Sequence, residues 1–148
     1  MNFLKRAAVG FFFERPARKQ NVTHWRQTLV DSGEMLNAFL ATKTDSEQNR
    51  RVLSHIIGIE RWGQRRLQVA LGAPLLDDEY DGYRPPKERT WSELQADFAE
   101  TRRETAVIAG KITTLDTQIH HNMYGDLSVR GWLRYLDMHA NLEAKKLK

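Results

Sequence analysis

Residues 129–148, VRGWLRYLDMHANLEAKKLK, carry the reading of the fold. Val129, Trp132, Leu133, Leu136, Ala140 and Leu147 recur at three- and four-residue intervals, the spacing of a helix with one apolar face. His139 and Glu143 fall on that same face, one turn apart. A packed core does not accept a bare imidazole and carboxylate without a partner. The stretch therefore specifies a packed helix and a polar intrusion that something must neutralise or use.

A second stretch, SHIIGIERWGQRRL at 54–67, has the same character. At about 100° per residue, its apolar centre runs through Val52, Ile56, Ile59, Gly63 and Ala70. His55 sits on one border of this face. Glu60 sits inside the other, in line with Leu53 and Leu67. Gly63 lets a neighbouring helix or a ligand approach closely.

Working outward, Val22, Trp25, Leu29, Leu36 and Leu40 mark an earlier helix, with Asn21 or Thr23 able to cap it. Thr44-Asp-Ser-Glu47 and Asp45-Ser-Glu-Gln48 both have capping-box spacing, which starts the second helix near Asp45. Gly72 and Pro74 stop it near Leu71. Residues 72–89, GAPLLDDEYDGYRPPKER, are turn-rich, and Pro85 and Pro86 disfavour helix. This segment is too long for a simple turn and predicts a crossover. Thr90-Trp-Ser-Glu93 is a further capping box, and Trp91, Leu94, Phe98, Thr101, Thr105, Ile108 and Ile112 form the third stripe. LDTQIHHNMYG at 115–125 breaks the pattern before Asp126 or Ser128 caps the fourth helix. Strand signals are nearly absent.

The expectation is an all-α chain: a four-helix bundle at 21–148, preceded by an N-terminal arm at 1–20. The first two helices should pair antiparallel across their short connection. The crossover permits the second and third to run parallel.

Composition narrows the function. The 148 residues fit one domain, and 41% hydrophobic content suffices for one core. No stretch approaches the roughly 20 apolar residues of a membrane span, so no membrane partner is expected. The start, MNFLKRAAVGFFF, has a basic pair before a short apolar run, but Glu14 and Arg15 follow at once. An ordered arm, with Phe11, Phe12 and Phe13 packing on the domain or on a partner, fits better than a signal peptide. The chain has no cysteine, which excludes disulfides and thiolate ligands and fits a cytoplasmic location. Net charge is +4, but the cations are interleaved with Asp and Glu. That favours a solvated surface over a specific nucleic-acid interface.

The candidate metal ligands are His55, His139 and Glu143. Alone, a border histidine such as His55 reads as structural. The pair His139 and Glu143, four residues apart, can aim two donors at one point, and the facing helix would add the third. Two imidazoles and a carboxylate leave open positions suited to catalytic zinc and other divalent metals. Glu143 has a plainer reading too, a surface pair with Lys146. His120 and His121 precede the fourth helix, where exposure or capping is the simpler role, and His24 reads the same way. Tyr80, Tyr83 and Arg84 wall a pocket or pin the crossover. Glu60 reads as an acceptor behind the ligands, a general base, or half of a buried ion pair. Trp25, Trp62, Trp91 and Trp132 read as packing anchors.

The ordered set of motifs resembles the DinB-like (damage-inducible) superfamily of small helical bundles, which is distinct from the translesion polymerase that shares the name. The matching elements are SHIIGIERWGQRRLQVALG, the crossover YDGYRPP, the Trp91-led helix and GDLSVRGWLRYLDMHANLEAKK, covering roughly Asn21 to the C-terminus. The resemblance implies a bundle with a long crossover, a homodimer, and a divalent metal (zinc, nickel, manganese or iron) at one end. It aligns His55 with the family's histidine on the second helix and His139 with the first of an H-x-x-x-H pair. Glu143 stands where the second histidine of that pair is usual. Some relatives are metal-dependent thiol transferases, so the resemblance implies a transferase or hydrolase acting on a small molecule or thiol. The alternative is a metal-free homodimeric structural or stress-response module.

Overall fold

The computed structural model describes residues 3–148. The chain is mostly helical, with one small antiparallel sheet. The N-terminal arm is itself helical: α1 (Phe3–Val9), a π-helical turn (Gly10–Glu14) and α2 (Arg15–Ala17). Val9, Phe13 and Ala17, spaced four apart, are buried against the domain. Phe11 and Phe12 are more than half exposed, so only one of the three expected phenylalanines packs inward. Glu14 fastens the arm by accepting from the backbone N–H (2.8 Å) and hydroxyl (2.7 Å) of Ser128.

Four long helices follow: α3 (Val22–Ala41), α4 (Glu47–Leu67), α5 (Trp91–Lys111) and α6 (Val129–Ala144). Their starts follow the local chemistry. Asn21 caps α3 and Ser128 caps α6, while Thr90 and Glu93 form the expected capping box on α5. Ser46 alone caps α4, accepting from Asn49 N–H, and neither expected capping box is used there. A 3-10 turn, Gln68–Leu71, ends in left-handed Gly72 at φ 98°. Residues 72–89 then cross over, with a second 3-10 turn at Tyr80–Tyr83.

Contacts define the order. α3 packs along α5 and α6, and α4 packs along the same two. α3 and α4 are therefore diagonal rather than the adjacent pair expected from their short connection. Their neighbours explain this, because each buries its stripe against both α5 and α6. Arg61 and Gln64 meet Thr101 and Thr105 in rising order, so α4 and α5 run parallel. His55 meets His139, and Asn49 meets Lys148, so α4 and α6 run antiparallel.

The expectation that strands are absent is corrected by the hairpin β1 (Gln118–His121) and β2 (Gly125–Ser128), with Ile119 opposite Leu127. Ile119, His121 and Leu127 face inward. Trp132 Nε1 donates to Ile119 O at 2.9 Å and ties the hairpin to α6.

The core has two apolar clusters. One, around Leu53, Ile57, Phe98 and Ala140, lies toward the α4 N-terminus. The other, around Trp62, Trp132 and Leu133, reaches the arm and hairpin. Between them lies a buried polar layer. Arg102 Nε and Nη2 face the two Glu60 oxygens at 2.7 and 2.9 Å. Arg102 Nη1 donates to Ser32 Oγ at 2.9 Å and Asp137 Oδ1 at 3.2 Å, and the Thr105 hydroxyl donates to Glu60 at 2.9 Å.

Gly63 permits the close approach of α6, as its spacing suggests. A Cβ there would meet the Leu136 side chain, with Cδ1 at 2.8 Å, and Leu136 is fully enclosed. Gly63→Ala gains up to about 1 kcal/mol of helix propensity but overpacks a rigid core at about 1–3 kcal/mol. A net loss near 1 kcal/mol is expected in urea unfolding; a stabilised variant would contradict this packing.

Candidate metal centre

The antiparallel contact of α4 with α6 brings His55 against His139. Their Nε2 atoms are 3.2 Å apart and their ring centroids 5.1 Å apart. One helical turn on, Glu143 completes a cluster. One ligand atom from each of His55, His139 and Glu143 lies within 4.8 Å of the others. All three are half-buried, as expected for a site at a helix junction open on one side.

The crossover closes the adjacent side. A Cβ at Gly58 would meet Arg84 Cγ at 2.8 Å and Tyr80 O at 3.2 Å, so glycine lets the crossover lie directly on α4. Tyr80 then stands edge-on to His55, with centroids 5.1 Å apart. Arg84 Nη2 lies 3.5 Å from His55 Nδ1. Tyr135 flanks His139 from within α6, at 5.7 Å.

The electrostatics favour the neutral form of both imidazoles. Burial, then the charge of His55, pushes His139 down to about 4. Burial lowers His55 as well; Glu143 opposes the shift and Arg84 adds to it. Burial pushes Glu143 up, but the Lys146 hydrogen bond and the two histidines outweigh it and leave the carboxyl below its usual range. Lys146 Nζ reaches both Glu143 oxygens, at 2.7 and 2.8 Å. The surface pair read from sequence is therefore present alongside the cluster.

The donor set fits a divalent cation. Metal ligation requires neutral imidazole and ionised carboxylate, and these shifts favour both. Two imidazole nitrogens on tetrahedral zinc lie roughly 3.3 Å apart, from Zn–N bonds of about 2.0–2.1 Å; the observed 3.2 Å is close to that edge. Arg84 is a pure donor, so its long contact to Nδ1 favours the His55 tautomer protonated on Nε2, the one able to donate to His139. A metal held through Nε2 would need the proton on Nδ1, at the expense of the long Arg84 contact.

Compared with family models, curated proteins and solved structures, the chain matches none.

The other sequence candidates separate cleanly. His120 is exposed and pairs with Asp126 at 3.0 Å. His24 is exposed and stacks edge-on against Trp25. His121 is buried, against the expectation of exposure, among Trp62, Tyr124, Trp132 and Tyr135. Its Nδ1 accepts from the N–H groups of Met123 and Tyr124. Tyr83 pins the crossover by donating to Asp78, which also pairs with buried Arg66 at 3.1 Å. Glu60 is half of a buried ion pair whose partner, Arg102, carries no sequence signal of its own. The four tryptophans are all buried anchors.

Proposed function

We propose that the chain is a DinB-like four-helix bundle whose His55, His139 and Glu143 hold a divalent metal: zinc, nickel, manganese or iron. The supporting observation is the convergence of the three side chains, with the two imidazole Nε2 atoms 3.2 Å apart. The activity this supports is transfer or hydrolysis involving a small molecule, with a thiol or water as nucleophile. A metal held by two imidazoles and one carboxylate has open positions, where it acidifies a bound thiol or water. Tyr80 and Tyr135 pack against the two rings. Lys146 favours the ionised Glu143 carboxylate. The reading carries the family's homodimer with it, and the absence of cysteine fits a cytoplasmic location. Among the described residues, no helix is long and apolar enough to cross a membrane.

A second reading has its own observation. Lys146 occupies both Glu143 oxygens, and the two histidines satisfy each other. This describes a metal-free trio in a homodimeric structural or stress-response module. Glu143 variants separate the two readings. In titrations of chelator-treated protein, Glu143→His should retain or strengthen zinc affinity, while Glu143→Ala should weaken it about 10–100-fold or more. Equal affinity in wild type and both variants removes Glu143 from the ligand set. No zinc binding in any of them favours the metal-free trio.

A further inference from the structure

Beside the metal centre lies a cleft of about 860 Å³ between the first half of α4, the crossover and the start of α5. Small-molecule sites span roughly 300–1,000 Å³. Cations outnumber acids on its wall. Arg50, Arg51, Arg84, Lys87 and Arg89 line it, against the acids Glu47 and Asp81. Arg84 belongs to both places, since it lines the cleft and also reaches His55 Nδ1 at 3.5 Å.

Each lining arginine already meets an acid: Arg50 with Asp45 at 3.2 Å, Arg51 with Glu47 at 3.4 Å, Arg84 with Asp81 at 2.8 Å, and Arg89 with Glu93 at 3.3 Å and Asp97 at 3.4 Å. All of those acids except Asp97 are solvent-exposed, and such exposed pairs contribute little and exchange readily. Lys87 is exposed and has no acidic partner among the described residues. The wall is also preset. Pro85 and Pro86 fix their backbone, and Gly58 seats the crossover directly on α4. Guanidinium forks suit planar or tetrahedral oxyanions, which they engage through paired charge-assisted hydrogen bonds.

We propose that this cleft binds the anionic group, carboxylate or phosphate, of the small-molecule substrate on which the metal centre acts. The link to the metal centre rests on the function proposed above; the anion site does not.

The test uses chelator-treated full-length protein titrated with inorganic phosphate and, separately, with succinate, at ionic strength held constant with potassium chloride. The readout is the amide NMR spectrum. Saturable millimolar shifts at Arg51, Ser54 and Lys87, with Gln118 and Asp126 on the hairpin unmoved, are expected. The stronger of the two probes identifies the anion class. Arg51→Glu and Lys87→Glu should each weaken binding about tenfold or more while keeping the wild-type spectrum elsewhere and the wild-type zinc content. Non-saturating shifts spread over surface arginines, or saturation unchanged in both variants, overturn the proposal. Zinc and phosphate binding by the wild type, measured separately, distinguish the two hypotheses. Phosphate binding that persists alongside a metal-free wild type refutes the metal reading alone. Zinc binding without saturable phosphate binding refutes the cleft alone.

Discussion

Replacing Arg102 by methionine is expected to destabilise the protein by about 3–5 kcal/mol, the range for breaking a buried ion pair from one side. The side chains of Arg102 and Glu60 are 3% and 2% exposed. Burial pushes the Glu60 carboxyl up, and only Arg102 and the Thr105 hydroxyl counter it. Without the guanidinium, Glu60 is left charged and unpaired or takes up a proton, and Asp137 and Ser32 lose a shared donor. The same loss should lower the melting temperature by roughly 10 °C for a chain of this size. Adding Glu60→Leu to Arg102→Met should recover at least half of it, because a matched apolar pair carries no orphan charge. A single-variant cost below about 1 kcal/mol would show that the polar layer is solvated in solution rather than closed.

The second large effect is acid sensitivity from His121. Burial among four aromatic rings, then the nearby Arg66 charge, pushes its pKa from 6.5 down to about 3. Between those values the unfolded chain binds a proton that the folded state refuses. Stability is therefore lost as pH falls below 6.5, by about 1.4 kcal/mol per pH unit for this one group. His121→Gln keeps a neutral acceptor for the N–H groups of Met123 and Tyr124 and has nothing to titrate in this window. Urea midpoints measured from pH 7 to pH 4 should fall less steeply for the variant. Identical slopes would mean that the ring is not enclosed.

Legibility in the sequence followed how local each signal was. The stripe through Trp132, Leu136, His139 and Glu143 placed two candidate ligands on one face, because helical period alone fixes that relation. Thr90 with Glu93, and Gly72, marked their boundaries for the same reason. The packing order of the helices was not local. A short α3–α4 link suggested neighbours, yet both helices bury their stripes on α5 and α6. The hairpin escaped notice because each strand has four residues, and QIHH carries little strand propensity. Its inward positions, Ile119 and His121, have meaning only against Trp62 and Trp132. Arg102 was hidden because a long side chain beside inward Thr101 reads as solvent-facing until a partner such as Glu60 is brought opposite it. Lys146 illustrates the reverse: its pairing with Glu143 was readable from spacing, and it is the competitor that any cation must displace.

The central claim is that His55 and His139 jointly hold a metal. The most direct measurement is the elemental metal content of untagged protein purified without chelator, compared with His55→Ala and His139→Ala prepared identically. The account predicts a stoichiometric divalent metal in the wild type and its loss from both variants. A wild type that carries no metal, and whose melting temperature does not rise when zinc, nickel, manganese or iron(II) is added, would contradict it.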